Sequence, residues 1–424
     1  MRSIRVALVS LGVVCKATTP ALSQEQAWSL DVDGELRERF ESVNNPVFGL
    51  STPVQNDYFL HRAMLAGRIR HDSGFGVGVK VVSGLVSGWD HPPPTQDDPF
   101  DVLEGYVEHS MPFANGELAL RVGRQEMVFG AARLVSVRES PNIRRAFDGA
   151  NATRTRRDAR ATAFFVRPVS PQDGVLDDRS SNDQRFWGVY VTWPAAIREG
   201  LGVDAYYLGL DRADARFAQG VARELRHTVG TRLFGEAKRW DWNVEAAWQW
   251  GSFGSSDIRA WTVSVDAGFA FTTLPHAPRL GLKADAISGD EDPEDRRLGT
   301  FNPLFPKLPY FSEANLATPA NLLDVQPNLR LSLTDRISAT LSWNKLWKHK
   351  AADAFYTPPL VPVAGTSRTS SRDVGWQASV LIAWQATDRL ELAATYVGFE
   401  PGPGIRQAQG RDGSFFAAWI RWTY

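Results

Sequence analysis

Arginine supplies the chemistry most visible in this chain. Arg37, Arg39, Arg62 and Arg68 come early; Arg121, Arg124, Arg133, Arg138, Arg144, Arg145, Arg154, Arg156, Arg157 and Arg160 crowd one stretch; Arg232, Lys283, Arg330 and Arg421 follow. A guanidinium presents a planar fork of donors that grips a carboxylate or phosphate through two bonds. Rings of such groups make a pore anion-selective. Acidic residues from Asp31 to Glu391 oppose them in nearly equal number, so net charge alone does not decide what the arginines do. Each either pairs with a carboxylate in a rigid scaffold, as buried charges normally do, or lines a path for anions.

Other chemistry is thin. Asp290 to Asp295 carries five carboxylates in six residues. Calcium favours oxygen ligands, but this run lacks the spacing of a defined calcium loop and reads as a solvated surface. The histidines are scattered, and neither a GxSxG nor an HExxH pattern occurs. No catalytic set, metal site or cofactor is expected. The formal net charge of −1 gives no support to nucleic-acid binding.

The elements that hold these arginines are strands. In the last segment, Phe416, Ala418, Ile420, Trp422 and Tyr424 share one face, and Phe415, Ala417, Trp419, Arg421 and Thr423 the other. Trp242, Val244, Ala246, Trp248 and Trp250 likewise oppose Asn243, Glu245, Ala247 and Gln249. Period-2 patterning of this length is a strand signal. A membrane β-barrel needs it, with apolar residues to lipid, polar residues to the lumen and aromatic girdles at both interfaces. Fifteen tryptophans and 11% aromatics beside a mean hydropathy of −0.27 fit that economy, since only alternate residues meet lipid. A large soluble all-β protein is the competing reading.

The pattern predicts an all-β fold, a transmembrane antiparallel β-barrel of 18 strands. They lie near 28–40, 57–71, 75–88, 101–112, 117–129, 143–153, 157–168, 185–194, 201–210, 226–235, 240–251, 259–272, 279–288, 326–334, 337–348, 373–386, 389–398 and 414–424. The sixth is the weakest, and 16 strands is the alternative. Short turns such as Thr334-Asp335-Arg336 and Thr387-Asp388-Arg389 alternate with long connections such as Ser288 to Val325, as periplasmic turns and extracellular loops do. Barrels of 16–18 strands can leave an aqueous channel. Ahead of the barrel, Arg2, Arg5 and an apolar run from Val6 to Val14 read as a signal peptide over residues 1–23, cut near Ser23. Cleavage removes Cys15, the one cysteine, and with it any disulfide. Residues 24–424 then form one domain in the bacterial outer membrane.

Leu120-Arg121-Val122-Gly123-Arg124-Gln125-Glu126-Met127-Val128-Phe129-Gly130, then Arg133-Leu134, then Pro141 to Gly149 resemble the alginate-export family of outer-membrane barrels. Gly34 to Glu41 and Phe165 to Val169 are similar to it too. The resemblance implies an 18-stranded monomer whose arginine-lined lumen passes a polyuronate such as alginate, or smaller carboxylated solutes, with periplasmic export components as partners if the direction is outward. It maps solute contacts onto Arg37, Arg39, Arg121, Arg124, Arg133, Arg144 and Arg145; Arg62 joins them from its lumen phase on the second strand. Gly130 to Asn142 is expected to be an extracellular loop, with a dip into the pore as the alternative. The aromatic part of the Ser288–Val325 loop either covers the mouth as a gate or floats on the surface. The competing function is a structural or adhesion barrel with a plugged lumen.

Overall fold

The computed structural model describes residues 28–50, 57–157, 159–198 and 200–424. The signal peptide expected at residues 1–23, Cys15 within it, lies outside the described residues. Eighteen strands form one closed antiparallel barrel. They are β1 (Trp28–Asn44), β2 (Asp57–His71), β3 (Phe75–Ser87), β4 (Asp98–Pro112), β5 (Glu117–Gln125), β6 (Phe147–Arg156), β7 (Ala159–Ser170), β8 (Gln184–Arg198) and β9 (Leu201–Phe217). The second half comprises β10 (Gly220–Ala237), β11 (Trp240–Phe253), β12 (Ser256–Ala270), β13 (Arg279–Ile287), β14 (Leu322–Ser332), β15 (Ile337–Lys348), β16 (Asp373–Thr387), β17 (Leu390–Pro401) and β18 (Gly413–Thr423). Each strand pairs with the next, and β18 closes on β1 with Arg421 opposite Arg37. Closure leaves no open sheet edge, which lipid could not satisfy. The sixth strand stands, and the 16-strand alternative falls.

Alternation sets the two faces. Trp248, Leu280, Trp343 and Ile420 are exposed on the outer surface, whereas Glu245, Gln249 and Ala417 are buried inside. Trp28, Trp240, Trp384 and Trp422 are exposed near the short-turn rim; Phe59, Trp250 and Phe416 near the other. No helix among the described residues is long and apolar enough to cross a membrane; the strands do so.

Strand ends differ from the sequence pattern by a few residues in several strands, as at Asn44 on β1 and Leu322 on β14, and two departures shape the lumen and its rim. β9 and β10 run past their expected ends to a two-residue connection at Ala218 and Gln219. There Ala215 and Phe217 pack inward on a small apolar cluster, Asp214, Arg216 and Arg223 are exposed, and Arg223 bonds Asp211 at 2.9–3.0 Å, so the extension lacks the continuous lipid-facing apolar row that marks the rest of the strands. β5, in contrast, stops at Gln125 rather than near 129, and β6 begins at Phe147 rather than 143. The chain between them leaves the wall and enters the barrel.

That inward loop, residues 126–146, meets a second, residues 288–321, inside the lumen. The Phe305 amide donates to the Leu134 carbonyl at 2.9 Å, Lys307 to Ala132 at 2.8 Å and Ser140 to Leu308 at 3.0 Å. Val135 and Phe305 form an isolated bridge. The expectation of an extracellular loop over Gly130–Asn142 is thereby corrected, and the reason is apolar. Lumen-facing Phe147, Phe164, Phe186, Tyr190 and Tyr206 make an internal core with Met127, Leu134, Phe301, Leu304 and Phe305. Phe129 stacks 4.9 Å from Tyr190, and Phe305 packs edge-on against Phe186 at 4.9 Å and Phe147 at 5.2 Å. Burying a ring such as Phe305 contributes about 1.5–3 kcal/mol, and each well-placed ring pair about 0.5–1.5 kcal/mol more. Gly130 permits the approach: its φ is +55°, and a Cβ there would stand 2.2 Å from the Tyr190 hydroxyl. Asn142 ties the loop down, its buried amide lying 2.9–3.2 Å from the carbonyls of His61, Leu85 and Gln96.

Candidate functional site

Strand phase brings the wall arginines inward, and most meet carboxylates. On β1 and β2, Arg37 donates to the Glu139 carbonyl at 3.0 Å and to Asn142 Oδ1 at 3.2 Å. Arg62 donates to Glu35 at 2.9 Å and also pairs with Glu139. Arg144, on the inward loop, reaches Glu139 at 2.7 Å and Glu35 at 3.5 Å. Three guanidiniums thus share two carboxylates. Burial pushes the Glu139 carboxyl up, but Arg62 and Arg144 outweigh it and hold it below the usual carboxylate range.

Arg39, Arg121 and Arg124 on the wall, and Arg133 on the inward loop, stand apart from this cluster. Arg39 bonds Glu41 at 2.6 Å and Glu313 at 2.9 Å, and lies 4.8 Å from the Trp419 ring centre. Arg121 bonds Glu108 at 2.7 Å over the Tyr106 ring. Arg133 bonds Asn243 at 2.7 Å and Glu245 at 3.0 Å. Arg124 bonds Asp148 at 2.9 Å and the Asp178 carbonyl at 3.1 Å, and so pins a loop to the wall.

Arg145 differs from the other seven. Among the described residues no carboxylate pairs with it. Its guanidinium sits 4.9 Å from the Phe305 ring centre, and its Nη1 is buried without a hydrogen-bond partner. Burial, then the neighbouring Arg138, pushes its pKa well below the ordinary arginine value. Arg138 has no ion pair among the described residues either, and burial lowers it to about 10. On the second inward loop, Lys307 is lowered to about 8 by burial, then by Lys283 and Arg133. All three cations belong to the inward loops. The arginine run contained Arg138, but nothing in its local sequence told it from its neighbours. Lys307 gave no signal beyond its place in an aromatic loop.

Two polar cavities flank these loops. One of about 240 Å³ lies against β4–β7 and is lined by Arg121 and Arg160 with Glu108, Glu117 and Glu126. The other, about 220 Å³, lies beside the closure of the barrel and holds Arg37, Arg39 and Arg421 with Glu139, Glu313 and Glu391. Against β9, β11 and β12 the loops pack tightly, leaving about 10 Å³ around Arg133, Tyr206 and Tyr310. The loops thus narrow the lumen, and polar space remains at these two cavities. The acidic run at Asp290–Asp295 braces its own loop and ties it to its neighbours: Asp290 accepts from Gly299 and Gln219, Asp295 from Arg297, and Glu291 pairs with Lys350.

The sequence profile described as "Alginate export" matches residues 28–418, nearly the whole barrel. The chain belongs to the alginate export family. This alginate-export barrel lies in the bacterial outer membrane, and its family and fold are those of channel-forming porins. No curated protein matches it. Among solved structures it is similar to a BenF-like porin from Pseudomonas fluorescens Pf-5, at 10% identity and TM-score 0.63, covering 93% of this chain and 98% of that one. OccK8 (OprE) of Pseudomonas aeruginosa gives 12% identity and TM-score 0.62 over the same shares. OccK2 (OpdF) of Pseudomonas aeruginosa, solved in complex with glucuronate, gives 12% and 0.62, again over 93% and 98%. At these identities the likeness is one of fold.

Proposed function

We propose that this porin passes anionic solutes, either a polyuronate such as alginate or smaller carboxylated molecules, through the arginine-containing lumen. The observation that carries the reading is the placement of Arg138, Arg145 and Lys307, three cations without a carboxylate partner among the described residues, on the two loops that narrow the barrel. Family membership supports it, and the glucuronate complex of OccK2 is a uronate bound by a barrel of this fold. Arg62, with no exposed side-chain surface, keeps Glu35 and Glu139 in place, while Arg37, Arg39, Arg121, Arg133 and Arg144 act by exchange. Each already holds a protein carboxylate, and a solute carboxylate replaces that partner with little net change in pairing. Conduction needs such weak, serial binding, since a solute that binds tightly at one site does not leave it. Arg124 holds the wall. The protein works as a monomer in lipid, and export of a polymer adds periplasmic partners that deliver it.

The second reading, a structural or adhesion barrel, draws on the extensive pairing of the wall arginines and the internal apolar core. Reversal potentials in planar bilayers under a potassium chloride gradient separate the two. Anion-selective current that loses about fivefold of its anion-to-cation ratio in Arg145→Gln supports conduction; fivefold corresponds to about 1 kcal/mol of lost attraction. A barrel that inserts and carries no current rejects it.

A further inference from the structure

At the long-loop end of the barrel, β4 opens with Asp98 and Asp101, and the β7–β8 loop lays Asp177 and Asp178 across them. The loop is held by its backbone. The Leu176 amide donates to the Phe100 carbonyl at 3.0 Å, and the Asp177 and Asp178 amides donate to Asp101 Oδ2 at 2.9 and 3.1 Å. Arg124 Nη2 adds a bond to the Asp178 carbonyl at 3.1 Å. Oxygens of Asp98, Asp101 and Asp178 come within 4.8 Å of one another.

Asp98 is the informative member. It is fully buried, and neither of its carboxylate oxygens has a hydrogen-bond partner; the Phe100 amide faces it without reaching bonding geometry. Asp177 Oδ1 is likewise buried without a partner. The charges set around Asp98 are Asp178, Asp101 and Asp177, all of its own sign. The Arg124 guanidinium lies 3.6 Å from Asp101 and is committed to Asp148 through bonds of 2.9 and 3.2 Å. A buried carboxylate facing others, with no donor of its own, is a costly arrangement unless a cation completes it.

We infer that Asp98, Asp101 and Asp178, with Asp177 alongside, bind a calcium ion that fastens the β7–β8 loop to the start of β4. Calcium takes several carboxylate oxygens at about 2.3–2.6 Å, so ligands on opposite sides of the ion stand up to about 5 Å apart; the 4.8 Å bound on this cluster fits that span. Magnesium, at about 2.0–2.1 Å and reluctant to lose water, needs a tighter cage. The site faces the outside of the cell, and extracellular calcium modules bind the ion at about 10⁻⁴–10⁻³ M. The inference is independent of which solute the lumen passes.

The test is calcium titration of the full-length refolded barrel by calorimetry in chelator-treated buffer, wild type beside Asp98→Asn, with tryptic cleavage after the exposed Arg179 of the same loop followed in parallel. The Asp98→Asn substitution keeps the side-chain shape and removes a buried unpaired charge, so the variant folds without calcium at least as well as wild type; gel mobility of the folded barrel checks this. The expected result is one calcium per wild-type chain, with cleavage at Arg179 slowed about tenfold, and loss of both in Asp98→Asn. Absence of calcium uptake by wild type at several millimolar, or uptake by Asp98→Asn equal to wild type, overturns the site. Equal protection by magnesium overturns the choice of ion, and cleavage that ignores bound calcium overturns the loop fastening.

Discussion

Pairing separates arginines that hold the barrel together from arginines that are available to a solute. Arg62 has no exposed side-chain surface and bridges Glu35 and Glu139. Arg62→Ala takes the close partner from Glu35, which is left with Arg144 at 3.5 Å, and removes one of the bonds that Glu139 holds. Breaking a buried pair this way costs about 3–5 kcal/mol, which a lowered urea midpoint for the vesicle-embedded barrel will report. Arg62→Lys recovers little, since a single ammonium does not reproduce the fork that reaches both partners. Arg145 behaves oppositely. No carboxylate is released when it is removed, so Arg145→Met leaves the urea midpoint unchanged or raises it, while anion selectivity falls. Lys307 adds a pH dependence with a definite sign. Its pKa is depressed to about 8, so it is charged below that pH and neutral above. Anion selectivity therefore drops as pH rises from 7 to 9, and Lys307→Gln abolishes that step. A selectivity that rises over this range contradicts the account.

The inward loops are where element-scale reading of the sequence fell short. For Gly130–Asn142 the sequence leaves two readings open, an extracellular loop and an inward dip. What decided it was a patch of lumen-facing rings on β6, β7, β8 and β9, from Phe147 to Tyr206, to which the loops dock. Each ring sits at an alternate position of its own strand, so the local pattern is the same whether the lumen beside it is wet or filled. Only closure of the barrel, which brings residues 134 and 305 side by side, reveals the core. Phe305→Ala tests it. Losing a ring packed between Phe147, Phe186 and Arg145 costs about 3–5 kcal/mol if the site does not collapse. The account predicts that this appears as larger and noisier single-channel conductance, with the β-sheet circular dichroism unchanged. Conductance identical to wild type would mean that the loops do not narrow the path.

For the whole molecule, the 18 strands, their alternation and the even closure follow from periodicity, because lipid on one side forces an apolar residue at every second position of each strand. Strand ends above the membrane escaped, as at Arg223 and Glu224 on β10, because side-chain pairing rather than lipid orders them. The arginines were legible as a set, but their division into paired and unpaired was not, since the partners Glu139 and Glu313 lie on loops far away in sequence. The calcium cluster escaped for the same reason: Asp98 and Asp178 meet only across a folded loop. The central claim is that the barrel conducts anions and recognises carboxylated sugars on the way. Single-channel current through the full-length protein in planar bilayers, titrated with oligouronate, tests it most directly. The account predicts anion-selective current blocked by micromolar to millimolar oligouronate, with weaker block in Arg145→Met. Cation-selective current, or an inserted barrel that carries none, would contradict it.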